Sequence, residues 1–180
     1  PYQPPGLWEA STSGRGVLAN YIQDHDEALY RRGLYTFIKL TLPPPSMIMF
    51  DASNRDQCEV KRLKTNTPLQ ALIMMNDPTV MEAARVLAEK LVKENDNARS
   101  NVEKAFRLIA LRKPRKEEAD KIMDYYNDQL ALFTAGKLDD KKTLQAGEYA
   151  HIPGIDGKAA AAMMKTISLL YNLEETLSKS

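Results

Sequence analysis

Apolar residues recur at helical spacing over most of the chain after residue 65. The clearest stripe repeats every three or four residues, at Val80, Ala84, Leu87 and Leu91. Residues at this spacing share one face of an α-helix. Asp77 and Pro78 form a helix-start pattern, because Asp accepts from free backbone amides and Pro is tolerated in the first turn. The pattern predicts a helix over 78–94, with charged residues on the remaining face: Glu82, Arg85, Glu89, Lys90 and Lys93.

The same periodicity extends over much of the rest of the chain. It predicts helices over 27–41, 99–111, 115–133 and 158–172, and a weaker, short one near 139–147. Strand signals are few, so the predicted fold class is all-α. The expected architecture is a single irregular helical domain of about five to seven helices over residues 1–180, with an extended, proline-rich N-terminal third.

The stretch from Thr65 to Pro78 places two polar residues in an otherwise apolar run. Thr65 or Thr67 can cap a helix that runs to about residue 75. Asn66 and Gln70 lie at and just inside the helix start, where such side chains most often satisfy local backbone groups. We interpret the stretch as the central helix pair of the domain. Its methionines and the next one along the chain are interpreted as core residues: Met74, Met75 and Met81.

The N-terminal third has little helical periodicity outside 27–41. Residues 1–26 are predicted to form an extended arm without a helix, because prolines and glycines are concentrated in residues 1–16. Trp8 is expected to hold this arm against the domain. Three consecutive prolines at 43–45 favour an extended backbone. The apolar run 47–50 that follows is expected to enter the core as an extended segment.

Composition excludes several classes of protein. The 25 basic and 24 acidic residues give a net charge of +1, which is too even for a general nucleic-acid or anionic-membrane binder. No apolar run approaches the ~20 residues that a membrane span needs. Cys58 is the only cysteine, so an intramolecular disulfide and a Cys-x-x-Cys-His haem attachment are both impossible, and Cys58 is expected to be a small buried residue. We expect no cofactor in this chain.

A ligand site could be formed by a basic group together with the two polar residues of the 65–78 stretch. The candidate ligand- or anion-binding residues are Arg31, Arg32, Arg62, Asn66 and Gln70. Arginine side chains can bind carboxylate, sulfate or phosphate through two parallel hydrogen bonds. The alternative is that these arginines form structural ion pairs with nearby acids. No motif identifies a catalytic residue or a metal site, and His151 is expected in a surface loop.

Several ordered segments resemble a known family. They are Pro1–Trp8, Leu29–Phe37, Pro43–Met47 with Phe50–Asp51, Thr65–Leu72 with Asn76–Asp77, and Leu169–Glu175. Together they resemble the C-terminal domain of unknown function of planctomycete-type cytochrome c-like proteins. The chain departs from the family pattern at Gly33, where Ser is usual, and at Leu40, where Arg is usual. The resemblance implies that the chain is the C-terminal portion of a larger domain.

The resemblance also implies a setting for the chain. Such proteins are exported, to the periplasm or cell surface, and are common in bacteria that use complex polysaccharides. Their upstream domains are the expected partners, and a haem can be present in another domain of the same polypeptide. The first hypothesis is a non-catalytic or accessory domain that binds a glycan or a partner. The alternative is part of an enzyme acting on complex carbohydrate, with an oxidation coupled to that haem domain. No catalytic residue is implied.

Overall fold

The computed structural model describes residues 2–3, 5–12, 19–39, 42–53 and 65–177. Within these ranges the regular secondary structure is helical, apart from one isolated antiparallel bridge between Lys39 and Leu42. The all-α prediction is confirmed. Predictions for Cys58 and Arg62 lie outside the described residues. The chain forms two compact units, residues 1–73 and 74–180, and a single domain over 1–180 stays a prediction.

Short helices occupy the first unit. Helix α1 is Leu7–Thr12, two 3₁₀-helices are Asp26–Tyr30 and Gly33–Tyr35, α2 is Pro45–Met49, and α3, which runs past the unit boundary, is Pro68–Asn76. The second unit contains the longer helices α4 (Pro78–Glu94), α5 (Ala98–Ala110) and α6 (Lys116–Thr134), then the short helix α7 (Asp140–Leu144), the long helix α8 (Gly157–Tyr171) and the short helix α9 (Glu174–Leu177). Among the described residues, no helix is long and apolar enough to cross a bilayer.

The helix predicted over 27–41 is wrong. Two 3₁₀ turns take its place, separated by extended backbone at Arg31 and Arg32. Gly33 lies in the middle of the segment, and glycine lowers helix stability by about 1 kcal/mol relative to alanine. The expected apolar stripe is therefore not buried: Leu34 is 75% exposed and Phe37 is 55% exposed.

Two further predictions for the N-terminal third are corrected. The arm 1–26 contains α1, so it is not free of helix. Residues 47–50 are not an extended core segment, because Pro45 starts α2 at the first helical position, where proline is favourable. Ile48 is 45% exposed in this helix.

The long helices predicted after residue 65 are confirmed to within two residues at each end, whereas the short helix predicted near 139–147 is Asp140–Leu144 and ends three residues early. Local capping explains this agreement. The Asp77 carboxylate accepts a hydrogen bond from the Thr79 amide at 2.8 Å, and the Asp156 carboxylate accepts one from the Lys158 amide at 2.9 Å. Such caps stabilise a helix start by about 1 kcal/mol each. They are read directly from the sequence because the partners are two residues apart.

Helix α8 is the central element of the second unit. It packs against α4, α5, α6 and α7. Its alanine run is completely buried, at Ala160, Ala161 and Ala162, and the small side chains allow close approach of neighbouring helices. Ile167 and Leu170 are also 0% exposed, and burying each such side chain stabilises the fold by about 1.5–3 kcal/mol. A helix that is apolar on nearly every face belongs in a core.

The stretch 65–78 is therefore not the central helix pair. Leu69, Leu72 and Met75 on α3 are 54%, 52% and 49% exposed, so Met75 is not the core residue that was predicted. Met81, at the start of α4, does pack against the core of the second unit. The periodic pattern identified the helices, but the choice of the central one depends on contacts between them.

Arg112 joins the turn after α5 to α6 and to the C-terminal helix. Its guanidinium donates two hydrogen bonds of 2.8 Å to the carboxylate of Glu118 and two, of 2.9 and 2.8 Å, to Glu175. It also lies over the ring of Phe106, 4.8 Å from the centroid. These hydrogen bonds from Arg112, together with one from the Arg115 amide, lower the pKa of Glu118 from 4.5 to about 2. The two pairs fix the geometry of the α5–α6 turn.

We predict that this pair makes stability depend on acid. Because the pKa of Glu118 is lower in the folded chain, its contribution is complete above pH 4.5 and is lost as the pH falls towards about 2. The Glu118→Gln variant should be less stable than wild type at pH 7, and the difference in melting temperature should shrink as the pH falls to 2. The matched control is Glu117→Gln, in the same helical turn, which should follow the wild-type pH profile. Parallel profiles for wild type and Glu118→Gln would contradict this account.

Candidate functional site

The predicted site residues are not all brought together by the described structure. Arg31 and Arg32 are exposed and lie between the two 3₁₀-helices. Arg31 lines a cavity in the first unit, whereas Arg32, Asn66 and Gln70 are not among the residues that line it. Arg62 lies outside the described residues. Their assignment as ligand-binding residues stays a prediction.

Gln70 is a structural residue of the first unit. It is 2% exposed, and its side-chain amide donates to the carbonyl of Met49 at 2.8 Å and to the hydroxyl of Thr65 at 2.9 Å. Its side-chain oxygen accepts from the Thr67 amide at 3.0 Å. The Thr65 amide and hydroxyl also donate to Asp51, at 2.9 and 2.7 Å. Gln70 therefore attaches the end of α2 to the start of α3, and its polar atoms are engaged with protein groups.

The cavity of the first unit has a volume of about 310 Å³. We call it the aromatic cavity, because Trp8, Tyr21, Tyr35 and Phe37 contribute to its wall. The polar groups at its edge include Asn20, Asp24 and Arg31. Its size falls at the lower end of the range for small-molecule sites, roughly 300–1,000 Å³. Apolar walls with a few polar groups are typical of such sites.

Trp8 organises this cavity. Its ring is 6% exposed and lies 5.3 Å from the Tyr21 ring and 5.8 Å from the Phe37 ring, at tilted angles. The Lys39 ammonium lies 5.0 Å from the Trp8 centroid, within the range of a cation–π interaction. The indole N–H donates to the Gln3 side chain at 3.1 Å. Trp8 thus holds the N-terminal arm as the sequence predicted. Burial, and then the charge of Asp24, raise the pKa of Tyr21.

A second group of polar residues, in the second unit, was not predicted. Glu82, Arg85 and Glu89 lie on the face of α4 that the sequence suggested was solvated, yet they are 3%, 0% and 1% exposed. Arg85 donates to a Glu89 carboxylate oxygen at 3.0 Å and lies 3.8 Å from Glu82. It also donates to the carbonyls of Ala146 at 2.9 Å and Tyr149 at 2.6 Å. Together with His151, these side chains form what we call the Arg85 cluster.

The two carboxylates hold the backbone of the same loop. Glu82 accepts from the Tyr149 amide, and Glu89 accepts from the Ile152 amide at 3.0 Å. Burial alone would raise the pKa of Glu89, but hydrogen bonds from the Ile152 amide, His151 and Arg85 together lower it. The cluster therefore keeps its carboxylate charged although it is buried.

His151 is the accessible member of the cluster. Its side chain is 59% exposed, as predicted for a surface loop. Its Nδ1 lies 2.8 Å from a carboxylate oxygen of Glu89 and 3.1 Å from a guanidinium nitrogen of Arg85. A carboxylate can only accept, so the Glu89 hydrogen bond requires a proton on Nδ1. In that tautomer the neutral ring keeps Nε2 as its acceptor.

Gly147 allows the loop to approach α4. Its φ of +77° lies in the left-handed region, and a Cβ atom added there would collide with the side chain of Glu82. Glycine is therefore required for two reasons, the backbone conformation and the close contact. The close contact between the buried Glu82 carboxylate and Gly147 therefore restricts the conformation of this loop.

The chemical possibilities of the Arg85 cluster follow from its burial. Arg85 cannot reach a substrate, because its side chain is 0% exposed and all of its hydrogen bonds go to protein groups. His151, oriented by a buried carboxylate, is the member that could act as a proton acceptor or donor. Among the residues that the structure describes, no group of three or more His, Cys, Asp or Glu could hold a metal ion.

Residues 1–126 match the family model described as PSD1, protein of unknown function (DUF1553). The chain belongs to this family. No curated protein and no solved structure matches the chain. The family match contains the aromatic cavity and the three α4 members of the Arg85 cluster, and it ends within α6. The loop 146–152 and His151 lie beyond it.

The Arg85 cluster was not predicted from the sequence, because the spacing of its α4 residues is also that of exposed ion pairs. Glu82, Arg85 and Glu89 recur at intervals of three and four residues, which is typical of ion pairs on a solvated helix face. The signal that could have raised suspicion is Gly147 followed by a charged and an aromatic residue in a loop. Nothing in that loop's sequence shows which helix it contacts.

We predict that Arg85→Met strongly destabilises the second unit. The substitution leaves two buried carboxylates and two loop carbonyls without their donor, and removing one partner of a buried ion pair costs about 3–5 kcal/mol. The measurement is the free energy of unfolding by chemical denaturation, with amide hydrogen exchange over 146–152. Lys90→Met, on an exposed position of the same helix, is the control and should stay within about 0.5 kcal/mol of wild type. Equal stability of both variants would mean that the cluster is not structural.

A second prediction separates the two requirements at Gly147. Gly136 also has a left-handed backbone, with φ of +69°, but a Cβ atom there would meet nothing within 4 Å. Gly136→Ala should therefore lose about 1 kcal/mol from backbone strain alone. Gly147→Ala should lose more, because it must also displace Glu82, and it should increase amide exchange at residue 149. If the two variants lose the same free energy, the close approach to Glu82 is not significant.

Proposed function

We propose that this chain is a non-catalytic, ligand-binding domain of an exported, multidomain cytochrome c-like protein, and that its aromatic cavity binds a sugar residue of a glycan. The observation that carries the proposal is the cavity itself. Its wall combines four aromatic side chains with polar groups at the edge.

The chemistry of the wall favours a sugar over other small ligands. A pyranose ring has apolar C–H faces that pack on aromatic rings, and equatorial hydroxyls that need hydrogen-bond partners. Tyr35 and Phe37 are 69% and 55% exposed, so their rings are available for such packing. Asp24 and Arg31 at the edge offer an acceptor and donors for hydroxyl or carboxylate groups. The small volume suits one or two sugar residues rather than a long chain.

The proposed setting follows the resemblance of the ordered motifs. The chain would act in the periplasm or at the cell surface of a bacterium that uses polysaccharides, attached to upstream domains of the same polypeptide. Any haem would belong to another domain, since a single cysteine cannot supply both thioether links of a c-type attachment. The ligand site would then bring a glycan close to the domain that carries the redox chemistry.

One observation favours the alternative, in which the chain is part of an enzyme acting on complex carbohydrate. Glu89 and His151 form a hydrogen-bonded pair with one buried and one exposed member. A carboxylate that orients a histidine is a recurring arrangement in general acid–base catalysis. Arg85 donates to Glu89 and lies 3.1 Å from His151 Nδ1, so the pair is packed against a buried cation, which is why we favour the structural role for this cluster.

The binding proposal predicts a ligand-dependent change in tryptophan fluorescence. Trp8 is the only tryptophan of the chain and lines the cavity, so its emission reports on occupancy. Titration with neutral and uronic-acid oligosaccharides should change the emission for at least one of them, and should raise the melting temperature because a ligand of the folded state stabilises it. Phe37→Ala should weaken binding about tenfold or more, since a stacked aromatic contact is lost.

The matched control is Leu34→Ala. Leu34 is 75% exposed in the same segment but does not line the cavity, so its substitution should leave affinity unchanged. Absence of any change in emission and melting temperature across the panel would refute the proposal. Consumption of a sugar that disappears in His151→Ala, with a normal melting temperature, would instead establish the enzyme alternative.

A further inference from the structure

The second unit contains a groove of about 790 Å³ between α5 and the start of α6. We call it the basic groove, because its lining includes five basic residues and one acidic residue: Arg99, Lys104, Arg107, Lys113, Lys116 and Glu103. The whole chain has a net charge of only +1. A concave surface lined by one sign of charge concentrates its electrostatic field and attracts ligands of the opposite sign.

Two of the five cations are already neutralised. Arg99 donates to Glu103 at 3.3 Å and to Asp120 at 2.7 Å. Lys104 pairs with Glu94. Arg99 and Lys104 therefore contribute little net positive charge to the groove.

The other three cations are exposed and have no carboxylate partner among the described residues: Arg107, Lys113 and Lys116. They come from the last turn of α5, the turn between the helices, and the first residue of α6. The Glu118 carboxylate already accepts a hydrogen bond from the Arg115 amide at the start of α6, so the attraction for an anion comes from the three basic side chains. Three unpaired cations at one concave surface repel one another, and an anion would relieve that repulsion.

The position of these cations is fixed by the fold. Arg112 pairs with Glu118 on α6 and Glu175 on α9, so the turn that carries Lys113 is held at both sides. Leu111 ends α5 in the left-handed conformation, with φ of 60°, which reverses the chain direction towards α6. A preorganised site loses less free energy on binding than a flexible one.

We propose that the basic groove binds a ligand with several tetrahedral oxyanion groups, phosphate or sulfate esters, on a scaffold without aromatic bases. The groove volume exceeds what one such group would fill, so more than one is accommodated. The arginine fork of Arg107 suits two oxygens of one group, and the lysines act as point charges. Among the described residues, no aromatic side chain lines the groove, so this wall lacks the stacking surface that single-stranded nucleic-acid sites use. This inference is independent of the aromatic cavity.

The test is a calorimetric titration of the whole chain with sodium tripolyphosphate, dextran sulfate, neutral dextran and single-stranded DNA. Tripolyphosphate or dextran sulfate should bind, with an affinity that falls as salt rises, and neutral dextran should not. The variant R107Q/K113Q/K116Q should weaken binding about tenfold or more, because three exposed charge contacts are lost. Loss of tripolyphosphate affinity in this variant supports a phosphate ligand, and loss of dextran sulfate affinity supports a sulfate ligand.

The matched control removes three lysine charges elsewhere. K137Q/K141Q/K142Q changes exposed lysines around α7, and it should keep the affinity within about threefold of wild type. Equal losses in both variants would show attraction to total charge rather than to the groove and would overturn the proposal. Tighter binding of single-stranded DNA than of tripolyphosphate and dextran sulfate would also overturn the proposal, and so would the absence of any binding. Melting temperatures of both variants confirm that the groove variant is folded.

Discussion

The burial of the Arg85 guanidinium is the constraint on which the second unit most depends. A guanidinium removed from water must find partners for its N–H groups, or the folded state loses several kcal/mol. Arg85 finds two carboxylates on its own helix and two carbonyls in the loop 146–149. The carboxylates in turn accept from loop amides. The loop between α7 and α8 is therefore held in one conformation, because its carbonyl groups accept the remaining hydrogen bonds of Arg85 on α4.

The charged residues of this chain fall into two classes with different roles. Glu82, Arg85 and Glu89 are buried and are bonded to groups of the protein, which gives these three side chains a structural role. Arg112 and Glu118 are partly exposed and fix a turn beside which Arg107, Lys113 and Lys116 have no carboxylate partner among the described residues. The first class specifies the fold, and the second holds a surface in the geometry that a multivalent anion requires. The net charge of the chain, +1, does not reveal that buried and exposed charged residues have these different roles.

The two proposed binding surfaces are chemically distinct. The aromatic cavity in residues 8–37 presents ring faces and a few hydrogen-bonding groups, which suit a sugar residue. The part of the basic groove that the structure describes presents three cations without a carboxylate partner and no aromatic ring. Both lie within the part of the chain that matches its family of unknown function.

The sequence by itself determined the long helices from residue 68 onward, because caps such as Asp77 and Asp156 and the 3.6-residue period act within one or two turns. It indicated that Gln70 satisfies local backbone groups, as it does for the Thr67 amide, but not its hydrogen bond to the Met49 carbonyl, 21 residues away. The sequence-based prediction failed at 27–41. The apolar residues there have helical spacing, but Gly33 and the packing of this segment around Trp8 favour two 3₁₀-helices over one α-helix. Only the tertiary structure decided that Arg85 is buried, because its carbonyl partner at Ala146 is 61 residues away. Helical spacing is the same for a solvated ion pair and a buried one, and only long-range packing distinguishes them.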